Sequence, residues 1–227
     1  MSGVKVLLID DEPAIFEPLS ALMAQSEYLL HYASNGQEGL KLFDQIKPDI
    51  ILLDINMPGM NGMEVCEHIR KKSSVPMIML SARSEEMDIL HGFHVGVDDY
   101  LTKPFSFAIL QARIKAVLAR TKFTDQPRQE VFVSEDLAIN FERKHVTVGG
   151  SSVKLTPTEY RLLEVLSKHA HRTIPVSQLL RDVWGQHYDD EPQYVKQFVW
   201  SLRKKIEDNP YEPKHLTTQR GFGYRID

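Results

Sequence analysis

Residues 50–54 read Ile-Ile-Leu-Leu-Asp, four consecutive large apolar residues followed by an acid. A strand that faces water on one side alternates apolar and polar residues, so an unbroken apolar run indicates burial on both faces. Strands of that kind occur in parallel sheets that helices cover on both sides. The stretch therefore predicts an α/β fold in which Asp54 ends a central strand.

Short apolar runs alternate with amphipathic stretches throughout the first half of the chain. Further strand-like runs lie at 4–9, 29–33, 76–80 and around 100–101, and helix-like stretches lie at 13–26, 36–46, 62–71, 84–95 and 106–120. Such alternation is typical of a doubly wound, five-stranded parallel sheet. We therefore predict one α/β domain over residues 1–121.

The second half follows a different order of elements. Residues 122–130 (KFTDQPRQE) are polar and lack periodicity, so we interpret them as a linker. Strand-like segments at 131–133, 137–140 and 144–148 end in a predicted turn at 149–152, and helix-like segments follow at 157–169, 175–184 and 192–207. The chain closes with a predicted hairpin over 215–226. This order predicts an α+β winged helix-turn-helix domain over residues 131–227.

Composition narrows the class of protein. The chain has 227 residues, contains no apolar run long enough for a transmembrane helix, and begins without the pattern of a signal peptide, so we expect a cytoplasmic protein without a membrane partner. A single cysteine, Cys66, excludes an internal disulfide. The net charge of −4 does not suggest nucleic acid. However, residues 1–121 carry 16 acidic and 11 basic residues, whereas residues 122–227 carry 15 and 16, so the second half is the more basic.

Acidic residues follow the predicted strands at one edge of the sheet. Asp10 and Asp11 follow the first strand and Asp54 ends the third, while Ser81 and Lys103 come at the fourth and fifth. Carboxyl ends of parallel strands meet at one edge, where ligands bind. A single aspartate there is as often a turn or cap residue, but the set favours a Mg²⁺ site beside a carboxylate that can attack phosphorus.

The segments at 4–12, 53–62 (LDINMPGMNG), 80–82 and 96–105 (GVDDYLTKPF) resemble the receiver domain of bacterial response regulators, which has the flavodoxin-like fold. The resemblance implies that a sensor histidine kinase phosphorylates Asp54, and that Mg²⁺ is held by Asp11, Asp54 and the Asn56 backbone carbonyl, with Asp10 acting through water. It also implies that Lys103 contacts the phosphoryl group, that Pro104 follows a cis bond, and that Ser81 and Tyr100 form a switch.

The same resemblance implies a two-fold dimer face on the fourth helix, fifth strand and fifth helix, formed on phosphorylation. Its usual charged positions are matched by Asp98, Asp99, Arg113 and Arg120. A further pair that is usually Lys and Glu is replaced here by Ile89 and Ile109. We therefore predict an apolar patch in that face, because an apolar pair can be as favourable as the ion pair it replaces. The alternatives are that both isoleucines belong to the core, or that the match to the family's positions is offset by one residue.

The third predicted helix of the second half carries basic residues between its apolar positions, and a glycine-rich hairpin follows it. A helix in the major groove with an arginine of the wing in the minor groove is a recurrent arrangement on DNA. We therefore predict DNA contacts from Lys196, Gln197, Trp200, Ser201, Arg203, Lys204, Thr217, Thr218 and Arg220. Arg203 and Lys204 can contact either bases or phosphates, and Trp200 can be either a core residue or a DNA contact.

The segments LTPTEYRLLEVL, LLRDVWG, VWSLRKKIED and QRGFGYRI resemble the effector domain of the OmpR/PhoB family. The resemblance implies binding of promoter DNA as a tandem dimer and contact with RNA polymerase through the loop at 186–192. Residues 196–201 depart from the usual family pattern, so we expect a different DNA specificity.

Two other classes of function would require different residues at this edge. An enzyme of the haloacid phosphatase type would place a second aspartate two residues after the nucleophile, where this chain has Asn56. A regulator that works without phosphorylation would lack some of the acids that are present here. We therefore expect a regulator that assists only its own Mg²⁺-dependent phosphoryl transfer and hydrolysis.

Overall fold

The computed structural model describes residues 3–82, 96–121 and 131–227, which divide into two compact units with the boundary between Ala119 and Arg120. The helix predicted at 84–95, which contains Ile89, and the linker predicted at 122–130 lie outside the described residues.

The first unit contains a five-stranded parallel sheet. Its strands are β1 (Val4–Ile9), β2 (Tyr28–Ala33), β3 (Ile50–Asp54), β4 (Met77–Ala82) and β5 (Asp99–Lys103), in the order β2-β1-β3-β4-β5. The described helices are α1 (Pro13–Met23), α2 (Gly36–Ile46), α3 (Gly62–Arg70) and α4 (Phe107–Thr121). This strand order is the flavodoxin-like one, in which the order reverses beside the first strand. The predicted α/β class is confirmed.

Burial in this unit follows the pattern of the sequence. All five residues of β3 are buried, as the unbroken apolar run predicted. Alternate strand residues such as Leu8 and Leu52 pack with Ile114 and Val117 of α4 in one apolar core. Cys66 is also fully buried, as an apolar core residue would be.

The second unit combines two antiparallel sheets with three helices. Strands β6 (Val131–Ser134), β7 (Leu137–Asn140), β8 (His145–Val148) and β9 (Ser151–Val153) form one sheet in chain order. Helices α5 (Pro157–Lys168), α6 (Val176–Val183) and α7 (Gln193–Ile206) follow, with a short 3₁₀ helix at Gln186–Tyr188. Strands β10 (Leu216–Gln219) and β11 (Gly223–Ile226) form the terminal hairpin, which we call the wing. The predicted winged-helix class is confirmed.

One predicted turn in this unit was too long. Residues 149–152 were predicted as a turn, but Ser151 and Ser152 belong to β9, and Ser151 pairs with Val148. Gly149 and Gly150 both have positive φ, 55° and 78°. Two consecutive residues in that conformation complete a two-residue hairpin turn, so the strand resumes directly after them.

Candidate phosphoacceptor site and nucleic-acid interface

The sheet register brings the predicted acidic residues to one edge. Ile9 pairs with Leu53 and Asp54 pairs with Leu80, so Asp10 and Asp54 lie at the carboxyl ends of neighbouring strands. Lys103 ends β5 on the far side of β4. Asp10 is fully buried and Asp54 nearly so, whereas Asp11 is exposed. The edge therefore has two buried carboxylates, and the residue that follows Asp10 carries an exposed third one.

The ammonium group of Lys103 contacts both buried carboxylates. Its Nζ lies 2.7 Å from Asp10 Oδ2 and 2.5 Å from Asp54 Oδ1. One positive charge thus serves two buried negative charges, and the exposed Asp11 adds another at the same strand end. The excess negative charge is the charge that a divalent cation would balance, and carboxylate oxygens are the ligands that Mg²⁺ prefers. The donor set therefore fits a hard divalent cation.

Burial and hydrogen bonding shift the pKa values of both Asp10 and Lys103. Burial raises the pKa of Asp10, and the hydrogen bond from Lys103 opposes the rise only in part. For Lys103, burial acts to lower the pKa, but the hydrogen bonds to Asp10 and Asp54 outweigh it, so its pKa is raised. Lys103 is therefore firmly charged, whereas ionised Asp10 is held at some energetic cost.

Backbone groups fix the carboxylate of Asp54 from the other side. The amide of Asn56 donates to Asp54 Oδ2 at 2.8 Å, while Oδ1 receives Lys103. Gly62, the first residue of α3, packs so closely that a Cβ there would lie 2.1 Å from the carbonyl oxygen of Asp54. The side chain of Asn61 caps α3 at this point by accepting from the amide of Glu64. The segment at 53–62 thus holds both the carboxylate and the backbone of Asp54.

The predicted switch residues lie close to this edge. Ser81 is buried at the end of β4 and pairs with Thr102 of β5, and the Tyr100 ring is also buried. The bond between Lys103 and Pro104 is cis, as predicted. The structure thus has Tyr100 in an inward position, and its coupling to phosphorylation stays a prediction.

The structure corrects the placement of two predicted dimer-face charges. Asp98 and Asp99 are both fully buried and not exposed on a surface. Asp98 Oδ2 accepts from Arg70 Nη2 at 3.0 Å and from the amide of Met77 at 3.1 Å. Asp99 Oδ1 accepts from Arg113 Nη1 at 3.1 Å. These ion pairs form within one chain, because buried carboxylates need partners that the monomer itself supplies.

Of the other predicted dimer-face residues, Ile109 is exposed and Arg120 is buried. Ile109 of α4 is 50% exposed, so the alternative that it is a core residue is wrong. Arg120 is buried in the second unit, where its Nε donates to the carbonyl of Val183 and its Nη1 donates to Thr158. Among the described residues of the predicted face, Ile109 is therefore the exposed apolar one.

In the second unit, a buried carboxylate holds the helix that was predicted to contact DNA, α7, here called the reading helix. Glu159 Oε1 accepts from Ser201 Oγ at 2.6 Å, and Oε2 accepts from Lys205 Nζ at 2.6 Å and from the Thr156 amide at 2.7 Å. Thr156 and Glu159 also form a capping box at the start of α5. Ser201 is 3% exposed, so the prediction that it contacts DNA is wrong, since its hydroxyl is buried against Glu159.

Arg203 holds the opposite flank of the reading helix. Its Nε donates to the carbonyl of Leu216 at 2.9 Å and its Nη2 donates to Thr218 Oγ1 at 2.7 Å, both in the wing. Arg203 therefore joins the reading helix to the wing. Neither predicted alternative, contact with a base or contact with a phosphate, included this role. Thr217 is half-buried, whereas Thr218 and Arg220 are exposed, with Arg220 at the tip of the wing.

The remaining predicted contacts lie on one exposed stripe of the reading helix. Lys196 and Lys204 are exposed, and Trp200 lies four residues from each of these lysines. Gln197 is half-buried. Trp200 is half-buried because the ring of Tyr211 packs against it, with 5.0 Å between centroids. Sequence reasoning missed Tyr211, which is 81% exposed, and Arg70, because nothing in their local pattern indicated either contact.

Two family models match the chain. The response regulator receiver domain model matches residues 6–115, and the model named transcriptional regulatory protein, C terminal, matches residues 150–226. The chain is 39% identical over 223 residues to the sensory transduction protein RegX3 of Mycobacterium tuberculosis, with 98% of each chain covered. The chain belongs to the OmpR/PhoB family of response regulators.

Other comparisons agree with this family. The transcriptional regulatory protein KdpE of Mycobacterium tuberculosis is 36% identical over 222 residues, with 98% of each chain covered. A RitR mutant structure has a TM-score of 0.80 and 26% identity, and the OmpR/PhoB homolog DrrB of Thermotoga maritima has a TM-score of 0.52 and 28% identity, each covering 99% of both chains. This OmpR/PhoB-family response regulator therefore has a receiver domain and a DNA-binding domain. In the part of the chain that the structure describes, every helix is too short or too polar to cross a membrane.

We expect Asp10→Asn to raise the free energy of unfolding in Mg²⁺-free buffer by about 1 kcal/mol, since a buried charge is removed. The raised pKa of Asp10 means that its contribution to stability is complete below the ordinary aspartate pKa and is lost as pH rises through the folded-state pKa. The difference between variant and parent should therefore widen from about pH 4 upward. Urea unfolding followed by circular dichroism at several pH values measures it.

The control for this prediction is Asp11→Asn, which removes an exposed charge and should change stability little. An Asp10→Asn protein that is less stable than the parent at neutral pH would contradict the prediction.

The two neighbouring lysines of the reading helix should behave differently. Lys204→Met should reduce the slope of log affinity against log salt by about 1 on short duplex DNA, since an exposed lysine releases counterions when it contacts phosphate. Lys205→Met should leave that slope unchanged but lower the free energy of unfolding by about 2 kcal/mol, because the buried Glu159 would lose its charged partner. Equal changes in slope for both variants would contradict this assignment.

Proposed function

We propose that this response regulator is phosphorylated on Asp54 by a sensor histidine kinase, dimerises through its receiver domain and regulates transcription at promoter DNA. The observation that carries the proposal is the pair of contacts from Lys103 to Asp10 and Asp54 at the edge of the sheet. The geometry presents a carboxylate whose orientation is fixed at both oxygens, beside a permanent positive charge. That combination suits attack on phosphorus, because phosphoryl transfer depends mainly on positioning and electrostatic stabilisation.

In the proposed reaction, a carboxylate oxygen of Asp54 forms a bond to phosphorus while the bond from phosphorus to the donor's histidine nitrogen breaks. The electron pair of that bond leaves with the donor, so an acyl phosphate replaces a phosphoramidate. The Lys103 ammonium stabilises the negative charge on the phosphoryl oxygens. Mg²⁺ held by Asp11, Asp54 and the Asn56 carbonyl, with Asp10 acting through water, would neutralise further charge there.

The added phosphoryl group brings a charge of roughly −1.5 to −2 and three acceptor oxygens. We propose that Ser81 donates to one of these oxygens and that the buried Tyr100 ring favours the same packing. Phosphorylation would then bias two existing arrangements of β4 and β5 and their surroundings. In the second unit, the exposed Asp189 and Asp190 after the 3₁₀ helix are available for the proposed contact with RNA polymerase.

We propose no separate enzymatic activity on an outside substrate. The position two residues after Asp54 holds Asn56, whose amide donates to Asp54, where a haloacid-type phosphatase has an acid. The DNA-binding domain, in addition, gives the acyl phosphate a use in regulation. Because promoter DNA and RNA polymerase are its proposed partners, the protein would act in the cytoplasm.

Incubation with acetyl phosphate and Mg²⁺ should produce an acyl phosphate and raise affinity for promoter DNA by about tenfold, the size of a typical coupling free energy between sites. Mass spectrometry and a DNA-binding titration measure the two effects. Asp54→Ala should abolish both, while Asp44→Ala, which removes an exposed carboxylate paired with Lys72, should retain both. Acyl phosphate formation in the Asp54 variant would refute the assignment.

Ile109→Lys should weaken the dimer of the phosphorylated protein by about tenfold, because an apolar side chain that the dimer buries would become charged. Sedimentation equilibrium measures the dimer dissociation constant. Ala108→Lys is the matched control, since it places the same charge at the adjacent exposed position, which points about 100° away around the helix. An unchanged dissociation constant for the Ile109 variant would eliminate Ile109 from the dimer face.

A further inference from the structure

The exposed stripe of the reading helix has a tryptophan at its centre. Lys196 and Lys204 each lie four residues from Trp200, which puts the two lysines about 12 Å apart along the helix axis. When such a helix lies in the major groove, its two lysine side chains can reach phosphates while Trp200 faces the bases between them.

The orientation of the stripe is fixed on both flanks. Ser201 and Lys205 bind Glu159 on one side, and Arg203 binds the wing on the other. The side opposite the stripe is buried, with Phe198 and Leu202 in the core. Rotation of the helix would break these contacts, so Trp200 is held at the outward position.

Trp200 presents apolar surface at that position, and Tyr211 supports it. The two rings meet nearly edge to face, with an angle of 61° between their planes. The other tryptophan, Trp184, is instead 3% exposed and packs against Phe198 in the core. Trp200 therefore lies on the surface with an aromatic neighbour that is itself 81% exposed.

We propose that Trp200 reads the 5-methyl group of a thymine in the major groove, with Tyr211 holding the indole in place. This inference rests on the proposed binding of promoter DNA and adds the chemistry of one position in the site. The methyl group of thymine is the apolar group that base pairs present in the major groove, and apolar side chains recognise it by contact. An indole between two lysines favours that group over the polar edges of the other bases.

The test begins with duplex sites that the full-length protein selects from a random library. Each thymine of the selected site is then replaced by deoxyuridine, which lacks only the 5-methyl group. We expect one position at which the replacement lowers the affinity of the parent protein about fourfold, the effect of burying one methyl group. At that position 5-bromodeoxyuridine, whose bromine replaces the methyl bulk, should restore the affinity.

Two variants assign the effect to the indole. Trp200→Ala and Trp200→Gln should bind the thymine and deoxyuridine sites equally, and Tyr211→Ala should reduce the fourfold difference. Lys204→Met is the matched control, because it should weaken binding to both sites by the same factor and keep their ratio. Since each comparison uses one protein on two DNAs, a variant that is less stable still gives a valid ratio.

The failures can be told apart. If the parent selects a site but no deoxyuridine replacement distinguishes it from the Trp200 variants, the inference is wrong and the proposed DNA binding stands. If no sequence is enriched from the library, the proposed sequence-specific binding fails and the inference fails with it.

Discussion

The contact of one ammonium group with two buried carboxylates is the constraint on which the receiver unit depends. Lys103 Nζ joins Asp10 and Asp54, so the ends of three strands, β5, β1 and β3, meet at a single charge. Burying a charged group among apolar strands costs free energy, and the contact with Lys103 offsets part of that cost for both carboxylates. The same burial that stabilises the sheet therefore produces a site that attracts further positive charge.

A second buried carboxylate, Glu159, is satisfied in a different way. Its two oxygens accept three hydrogen bonds, from Ser201, Lys205 and the Thr156 amide. A carboxylate with that many donors has little tendency to bind a cation or to react. Charge balance thus separates the two sites. The receiver edge has fewer positive than negative charges, whereas Glu159 accepts three hydrogen bonds and fixes the reading helix.

The sequence predicted elements and strand ends well, because those depend on local patterns. Apolar periodicity located every described strand of the parallel sheet, and convergence at one sheet edge brought Asp10, Asp54 and Lys103 together. Contacts between distant side chains could not be predicted in this way. Asp98 was expected at a dimer face, but it is buried against Arg70, and the two residues are 28 positions apart with no sign of the pairing in the sequence between them. Ser201 likewise stands among basic residues in sequence, yet its hydroxyl turns toward Glu159.

The same separation between the contacts that hold the reading helix and the residues that it exposes applies to the stripe formed by Lys196, Gln197, Trp200 and Lys204. Glu159 on one flank and the wing on the other fix the helix through Lys205 and Arg203, neither of which lies on the exposed stripe. Substitution within the stripe therefore changes what the helix presents without loosening how it is held. Trp184 and Trp200 illustrate the consequence, since one indole fills the core and the other reaches the surface on the same domain. Residues of the stripe can therefore be substituted, and DNA specificity changed, without loss of the contacts that stabilise the domain.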